Sequence, residues 1–469
     1  MVPLVEFPRL VDHYAPHFCS VFSADAFIQF KRYISGLIVS ENKTVEGINR
    51  LFVHESRNQS SLNRLLTESP FSLDELNRCR LAVMNSLPGT ALKKDGVLSF
   101  DDTLLGHYGH HFDKIAILYD HVQKCWVWAH NLVTLHYSDD RTDYPIFFGL
   151  WQPADLVKIE AGLRAANIKL KESKLALKES DPTKWRQYLL GVWRRNIKKP
   201  GVADLYDSKL RMAEQQCQQW LEQFPDIKPP IAFDSWYTQP SFCRFLEEKG
   251  FAYVGALGES SEVALATGRE RLDSFAQRLK AEHLAATEAG QSPIFQTTTI
   301  AFKGTTETYY TYCRTHWLHN FGKVRLVISY RRADLSDNPV FLISNRLHWQ
   351  AKGMTRIYRH RWPVEVYHEE GKAEGLDQYQ LRDFAAIERH IALVAVVYSL
   401  LRAAQQDLDL QQTLQRELEL DLDGSVPFWR RATQAQSLWS LALFVAAGLA
   451  QGQPLQEIMM PLLRAVCPR

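Results

Sequence analysis

The residues of this 469-residue chain most suited to chemistry are carboxylates at the ends of apolar, strand-like runs. Phe100-Asp101-Asp102-Thr103 closes one such run, and Phe233-Asp234-Ser235-Trp236 closes another. Acids at the ends of neighbouring strands can converge on one point, where clustered carboxylates bind hard divalent cations. Taken singly, each motif reads more often as a turn or a helix cap. A third block runs Tyr358-Arg359-His360-Arg361-Trp362-Pro363-Val364-Glu365-Val366-Tyr367-His368-Glu369-Glu370-Gly371-Lys372. Its spacing is Tyr, two residues, Arg, three residues, Glu, six residues, Lys.

With the two Asp motifs standing before it in order, this block resembles the Y-R-E-K signature of DDE transposases of the insertion-sequence-4 superfamily. The likeness spans about Asp95 to Ile391. It implies an α/β fold with an RNase H-like core: the first acid on the first strand, the second on the fourth, and the glutamate on a late helix. It also implies a β-rich insertion between the second acid and the glutamate. Asp234 and Glu365 are 131 positions apart, and Thr297 to Ser344 is rich in strand-forming residues, which gives that insertion a place.

By the resemblance, Asp102, Asp234 and Glu365 are the catalytic metal ligands. Asp101 is the neighbour most easily confused with Asp102; strand alternation sends the two to opposite faces, so one alone reaches the metals. The implied cofactor is a pair of Mg²⁺ ions, with Mn²⁺ as a substitute. Two such ions about 3.5–4 Å apart serve the attacking and leaving oxygens of an in-line displacement at phosphorus. Tyr358, Arg361 and Lys372 would grip phosphates at the transposon end, Arg through its planar fork and Lys as a point charge. Trp362 matches a position where family members stack a base displaced from the duplex; core packing is its other reading.

These residues need elements to hold them. Glu365, Glu369 and Lys372 fall at i, i+4 and i+7 on one helix face, which makes Glu369 the rival carboxylate. Proline is tolerated only in a first turn, so the helix is expected to begin near Trp362, with Tyr358 and Arg361 on its approach. Strand-like runs at residues 95–100, 125–135 and 144–150 open the catalytic region, and residues 230–257 have β-α-β grammar. Residues 23–86 are helical in pattern, with a helix start at Ser72-Leu73-Asp74-Glu75. From Tyr358 onward the pattern is again helical, interrupted by an acidic stretch from Asp407 to Asp423. The resulting division is a helical DNA-end-binding domain at 1–94, a catalytic domain at 95–383 with its insertion at about 258–350, and a helical C-terminal region at 384–469 for dimerisation.

Charge is informative locally. The net charge is only +2, but Lys158 to Arg211 holds fourteen Lys or Arg against six Asp or Glu, a local charge of +8. Arg194, Arg195, Lys198 and Lys199, with Trp185, Tyr188 and Trp193 interleaved, suit a phosphate-tracking surface; a solvated helix face is the alternative.

Composition, 46% hydrophobic and 23% charged, excludes a disordered chain. The apolar runs Ile391–Leu401 and Leu438–Ala450 fall short of the roughly 18 residues of a membrane span, and the N-terminus lacks the order of a secretion signal. A cytoplasmic protein with no membrane contact is expected. The seven cysteines form no C-x-x-C pair, so they read as reduced thiols. His107, His110 and His111 have no cysteine partner and read as loop histidines.

The expected function is cut-and-paste transposition: cleavage of double-stranded DNA at terminal inverted repeats and strand transfer into target DNA, by a homodimer. Two rivals are a nuclease of the same fold that cuts without joining and a domesticated DNA-binding protein. Binding alone does not need three converging carboxylates, which speaks against the latter.

Overall fold

The computed structural model describes residues 2–53, 58–266, 268–419 and 424–467. The last four positions of the acidic stretch ending at Asp423 lie outside the described residues.

The strand-forming runs join into one twelve-stranded mixed sheet. Its strands are β1 (Val97–His107), β2 (Ala116–Asp120), β3 (Cys125–Ser138), β4 (Asp143–Trp151), β5 (Ile231–Phe233) and β6 (Tyr253–Leu257), then β7 (Glu262–Leu265), β8 (Gly268–Arg271), β9 (Gln296–Phe302), β10 (Thr305–Leu318), β11 (Gly322–Tyr330) and β12 (Val340–Ser344). At one end of the sheet β4 pairs antiparallel with β3, and β3 antiparallel with β1. From there the direction changes: β1 pairs parallel with β5, and β5 parallel with β6. The region expected as an insertion continues the same sheet antiparallel, through β12, β11 and β10. It also carries the helix Leu272–Glu288, which the Thr- and Val-rich texture did not announce. Strand β2 was likewise unforeseen; it is a five-residue edge strand with alternating burial on the outer end of β3.

Nine helices matter for the site: α1 (Ala24–Val39), α2 (Leu73–Ser86), α3 (Pro182–Asn196), α4 (Lys209–Gln223), α5 (Pro240–Glu248), α6 (Ala351–Arg359), α7 (Trp362–Ala373), α8 (Phe384–Ala404) and α9 (Val426–Ala450). Ser72 caps α2 by accepting the Glu75 N–H at 3.3 Å, as its sequence start suggests. Helix α8 is 21 residues long and apolar enough to cross a membrane by length and composition, beyond the shorter run read from sequence. In this fold most of it is buried, packed on α1, α2 and β4.

The packing does not follow the expected boundaries at 94 and 383. Arg80 of α2 is fully buried. It donates to the carbonyls of Pro145 (2.7 Å) and Ile146 (3.0 Å) on β4 and to Ser399 Oγ of α8 (2.8 Å). The N-terminal helices, the sheet and α8 therefore share one core, because each amphipathic helix can bury its apolar face only against another element. Residues between β4 and α4 do form a separate small core, from Ile159, Leu163, Trp185, Leu189, Val192 and Trp193.

Candidate active site

The site begins where the parallel ladder of β1 and β5 ends. Phe100 is the partner of Phe233 at the end of that ladder, so Asp101 and Asp234 each follow the last residue paired in it. Asp234 stands just past the end of its strand, whereas Asp101 lies mid-strand, because β1 stays paired with β3 as far as His107. Phe100 packs toward α5, its ring 5.7 Å from Phe242 and 5.9 Å from Tyr237. The pleat then sends Asp102 to that same face and Asp101 to the other, where α6 and α7 lie.

Helix α7 starts at Trp362 with Pro363 in its first turn, as expected, and Glu365 is also in that turn. A carboxylate there is favoured by the helix dipole. Arg361 precedes the helix and joins the two elements: Nη1 donates to Asp101 Oδ2 at 3.2 Å, and Nη2 donates to Glu365 Oε1. Arg361 Nε is buried with no acceptor among the described residues. Asp234 accepts the backbone N–H groups of Trp236 (3.0 Å) and Tyr237 (3.1 Å), which fixes its carboxylate in a turn.

The first acid expected as a ligand, Asp102, is not on this face. It accepts from Lys209 Nζ at 2.8 Å, Asn131 Nδ2 at 2.7 Å and Tyr237 OH at 3.2 Å. Of the two neighbours it is Asp101 that meets Arg361, while Asp102 is close enough to Asp234 for its charge to raise that carboxyl. The reason is parity: one residue along a strand exchanges the two faces, and spacing within Phe-Asp-Asp-Thr cannot choose between them.

Burial pushes the Asp101 carboxyl up to about 7; Arg361 opposes this, while the charges of Asp234 and Asp102 add to it. Burial likewise raises Asp234, against the Tyr237 N–H and Arg361, and the charge of Asp102 adds to the rise. Burial alone would lower the Arg361 pKa, yet Tyr358, Glu365 and Asp101 together hold it above its ordinary value. This is a pocket of excess negative charge with one guanidinium inside it.

Around that centre, Tyr358 lies under Arg361, whose guanidinium is 5.6 Å from its ring centroid. Tyr358 belongs to helix α6 and not to an irregular approach segment. Trp362 is 48% exposed, which removes the core-packing reading. With Arg331, Asn338, Tyr358, Arg359 and Arg361 it lines a cleft of about 240 Å³ between α6 and the later strands. Glu369 is exposed, and Lys372 is half-buried two turns from Glu365.

The basic segment is partly corrected. Trp185 and Trp193 are buried in the small helical core, Trp193 Nε1 donating to the Val202 carbonyl at 2.9 Å. They are therefore not available to bases. Arg194, Arg195, Lys198 and Lys199 are on that core's surface, all four exposed. His107 stacks between Phe112 and Tyr379 at 4.5 Å from each, and burial lowers it to about 4, so it is neutral packing.

The sequence matches the DDE superfamily endonuclease family over residues 17–273. The chain belongs to the DDE superfamily endonucleases. A second match, to the transposase DDE domain, covers residues 213–400 of this endonuclease and so includes Asp234, Arg361 and Glu365. Among solved structures it is similar to a piggyBac transposase synaptic complex with hairpin DNA, at 9% identity and a TM-score of 0.42, over 96% of this chain and 82% of that one. No curated protein matches it in sequence. The endonuclease is thus an enzyme of the DDE transposase class, with its acidic cluster at the end of the β1–β5 ladder.

DDE enzymes work with divalent metal, and the donors here suit one in kind: all are carboxylate oxygens, in excess over the cations near them. In position they are not yet a metal site. Among the described residues, no three His, Cys, Asp or Glu side chains stand around one point as ligands do. Arg361 bridges Asp101 and Glu365 instead. Sequence reasoning missed this bridge, and it missed Lys209, Asn131 and Tyr237, whose only signal was Lys209 at the end of the basic segment.

Proposed function

We propose that this endonuclease is a cut-and-paste transposase of the insertion-sequence-4 kind, cleaving double-stranded DNA at transposon ends and joining the ends to target DNA. The observation that carries the reading is the meeting of Asp101, Arg361 and Glu365 at the end of the β1–β5 ladder, with Asp234 beside them. The strand order β4-β3-β1-β5-β6, two antiparallel pairings followed by two parallel ones, supports an RNase H-like core.

Asp101, Asp234 and Glu365 would hold the metal, in place of the Asp102, Asp234 and Glu365 set expected from the signature. Bound Mg²⁺ supplies Lewis acidity at the phosphoryl oxygens and an activated oxygen nucleophile. The protein's own groups do the rest. Arg361 and Tyr358 orient a phosphate at the mouth of the cleft, and Lys372 adds charge further along α7. Trp362 offers an exposed face for an unstacked base. Asp101, whose carboxyl burial raises to about 7, would have to lose its proton to act as a ligand. The basic surface at Arg194, Arg195, Lys198 and Lys199 follows the duplex backbone, and the helices before Asp95 contact the end sequence. Exposed Leu438, Trp439 and Leu443 on α9, with Leu455 and Leu463 after it, offer an uncharged surface for a second copy of the chain.

The test is incubation of the protein with DNA carrying the terminal inverted repeats and a supercoiled target, with Mg²⁺. Joined products support transposition. Cleaved ends without joining favour a nuclease, the reading that the endonuclease family match alone would allow. Binding without cleavage favours a domesticated DNA-binding protein.

A further inference from the structure

Asp102 is displaced from the metal face, yet it is one of the most heavily hydrogen-bonded carboxylates near the site. Its partner Lys209 comes from the first turn of α4, which Ser208 caps by accepting the Arg211 N–H at 3.3 Å. Lys209 Nζ lies 2.8 Å from Asp102 Oδ2 and 4.6 Å from the centroid of the Trp236 ring. Two other donors, Asn131 and Tyr237, remain on Asp102 without the lysine.

Trp236 is 44% exposed although it stands two residues after Asp234. It is held in place from beneath: its N–H donates to Asp234 at 3.0 Å, and its ring meets Tyr237 edge-on at 4.8 Å. A fixed, exposed indole contributes little to the core. What it does is present one face to an ammonium.

We propose that Lys209 is a phosphate ligand for the DNA strand at the active site, aimed by Asp102 and Trp236. The inference rests on the endonuclease reading of this site. An ammonium has three donors and no acceptor, so a single carboxylate and a ring face leave it capacity for a phosphate oxygen. Asp102 and Asp101 sit on opposite faces of β1, so Lys209 and Arg361 approach the end of the β1–β5 ladder from opposite sides. A phosphate drawn to the carboxylate cluster needs such cations, because bare carboxylates repel it. Asp102 and Trp236 are positioning residues here, and Lys209 touches the phosphate.

The experiment measures affinity of the full-length protein for a random-sequence duplex, without divalent metal, over a series of salt concentrations. Wild type, Lys209→Gln and Lys209→Arg are compared after thermal melts show that each is folded. Lys209→Gln can still hydrogen-bond Asp102 but carries no charge. It is expected to reduce the slope of log affinity against log salt by about 0.9, the value for one phosphate left unneutralised, while Lys209→Arg keeps the wild-type slope. A second measurement needs no variant: lysine acylation read by mass spectrometry, in which duplex DNA is expected to protect Lys209. An unchanged slope in Lys209→Gln, or no protection of Lys209, overturns the proposal while wild-type DNA binding leaves the endonuclease reading standing. A wild type that binds no duplex overturns both.

Discussion

Asp101 and Arg361 are 260 positions apart in the chain and 3.2 Å apart in the fold. The same guanidinium holds Glu365 one helical turn on, so a single side chain draws the first acid and the last acid of the site toward each other. An arginine so placed keeps two carboxylates close against their mutual repulsion. If both carboxylates were to hold a metal ion, the guanidinium would have to release one of them.

Parity on β1 gives the first prediction. Asp101→Asn should lower DNA cleavage by well over the roughly 10–100-fold typical of outer-shell changes, whereas Asp102→Asn should stay within that range. Single-turnover cleavage of end DNA with Mg²⁺ measures both; a silent Asp101→Asn would return the ligand role to Asp102.

Glu365 and its rival separate in the same assay. Glu365→Gln should abolish cleavage with DNA binding kept, because it removes a ligand on the Arg361 side of the cluster. Exposed Glu369→Gln should leave the rate near wild type.

On the basic lobe, neutralising Arg194, Arg195, Lys198 and Lys199 together should weaken binding to end DNA and to random DNA alike. The slope of log affinity against log salt should become shallower by roughly 0.9 for each phosphate that the protein no longer neutralises. The side chains lie on the surface, so the melting temperature should barely move. An unchanged slope would make this a solvated face.

The shared core predicts that the N-terminal helices cannot be removed cleanly. Arg80→Ala removes the side-chain donor to the buried Pro145 carbonyl and one of the two side-chain donors to that of Ile146, Asn77 being the other, and should cost about 1–3 kcal/mol, the range for a buried polar group left unsatisfied. A chain starting at Asp95 should show no cooperative thermal transition. A well-folded truncation would show that the sheet and α8 stand alone.

The pH dependence follows from Asp101. Its folded pKa is raised to about 7 from an ordinary carboxyl near 3.8, so the folded protein holds a proton there that the unfolded chain has released. Stability from this group is present at acid pH and declines as pH rises through that interval. Without metal, Asp101→Asn should therefore be stabilising relative to wild type at pH 8 and close to neutral near pH 4, as read from denaturant midpoints. Metal affinity should run the opposite way in the wild type, weakening as pH falls below about 7, because a ligand must be deprotonated.

The sequence by itself determined the local features. Pro363 marked the start of α7 because proline is best tolerated in a first turn, and Ser72 with Glu75 marked that of α2. The Tyr, Arg, Glu and Lys spacing singled out the block that lies in the site, and Asp234 stood out as an acid ending a strand before a helix. What lay beyond the sequence was decided by contacts between distant segments. Two adjacent aspartates have the same local signal, and only pairing with β5 and the position of α7 decide which one faces Arg361. Trp185 and Trp362 both sit among cations in sequence, yet one is buried in a small helical core and the other opens onto the cleft. The N-terminal helices carry an amphipathic pattern that says one face is buried but not against what, and β4 and α8 supply that partner. Periodicity fixes which residues share a face of one element; which faces meet is settled only when the whole chain competes to bury them.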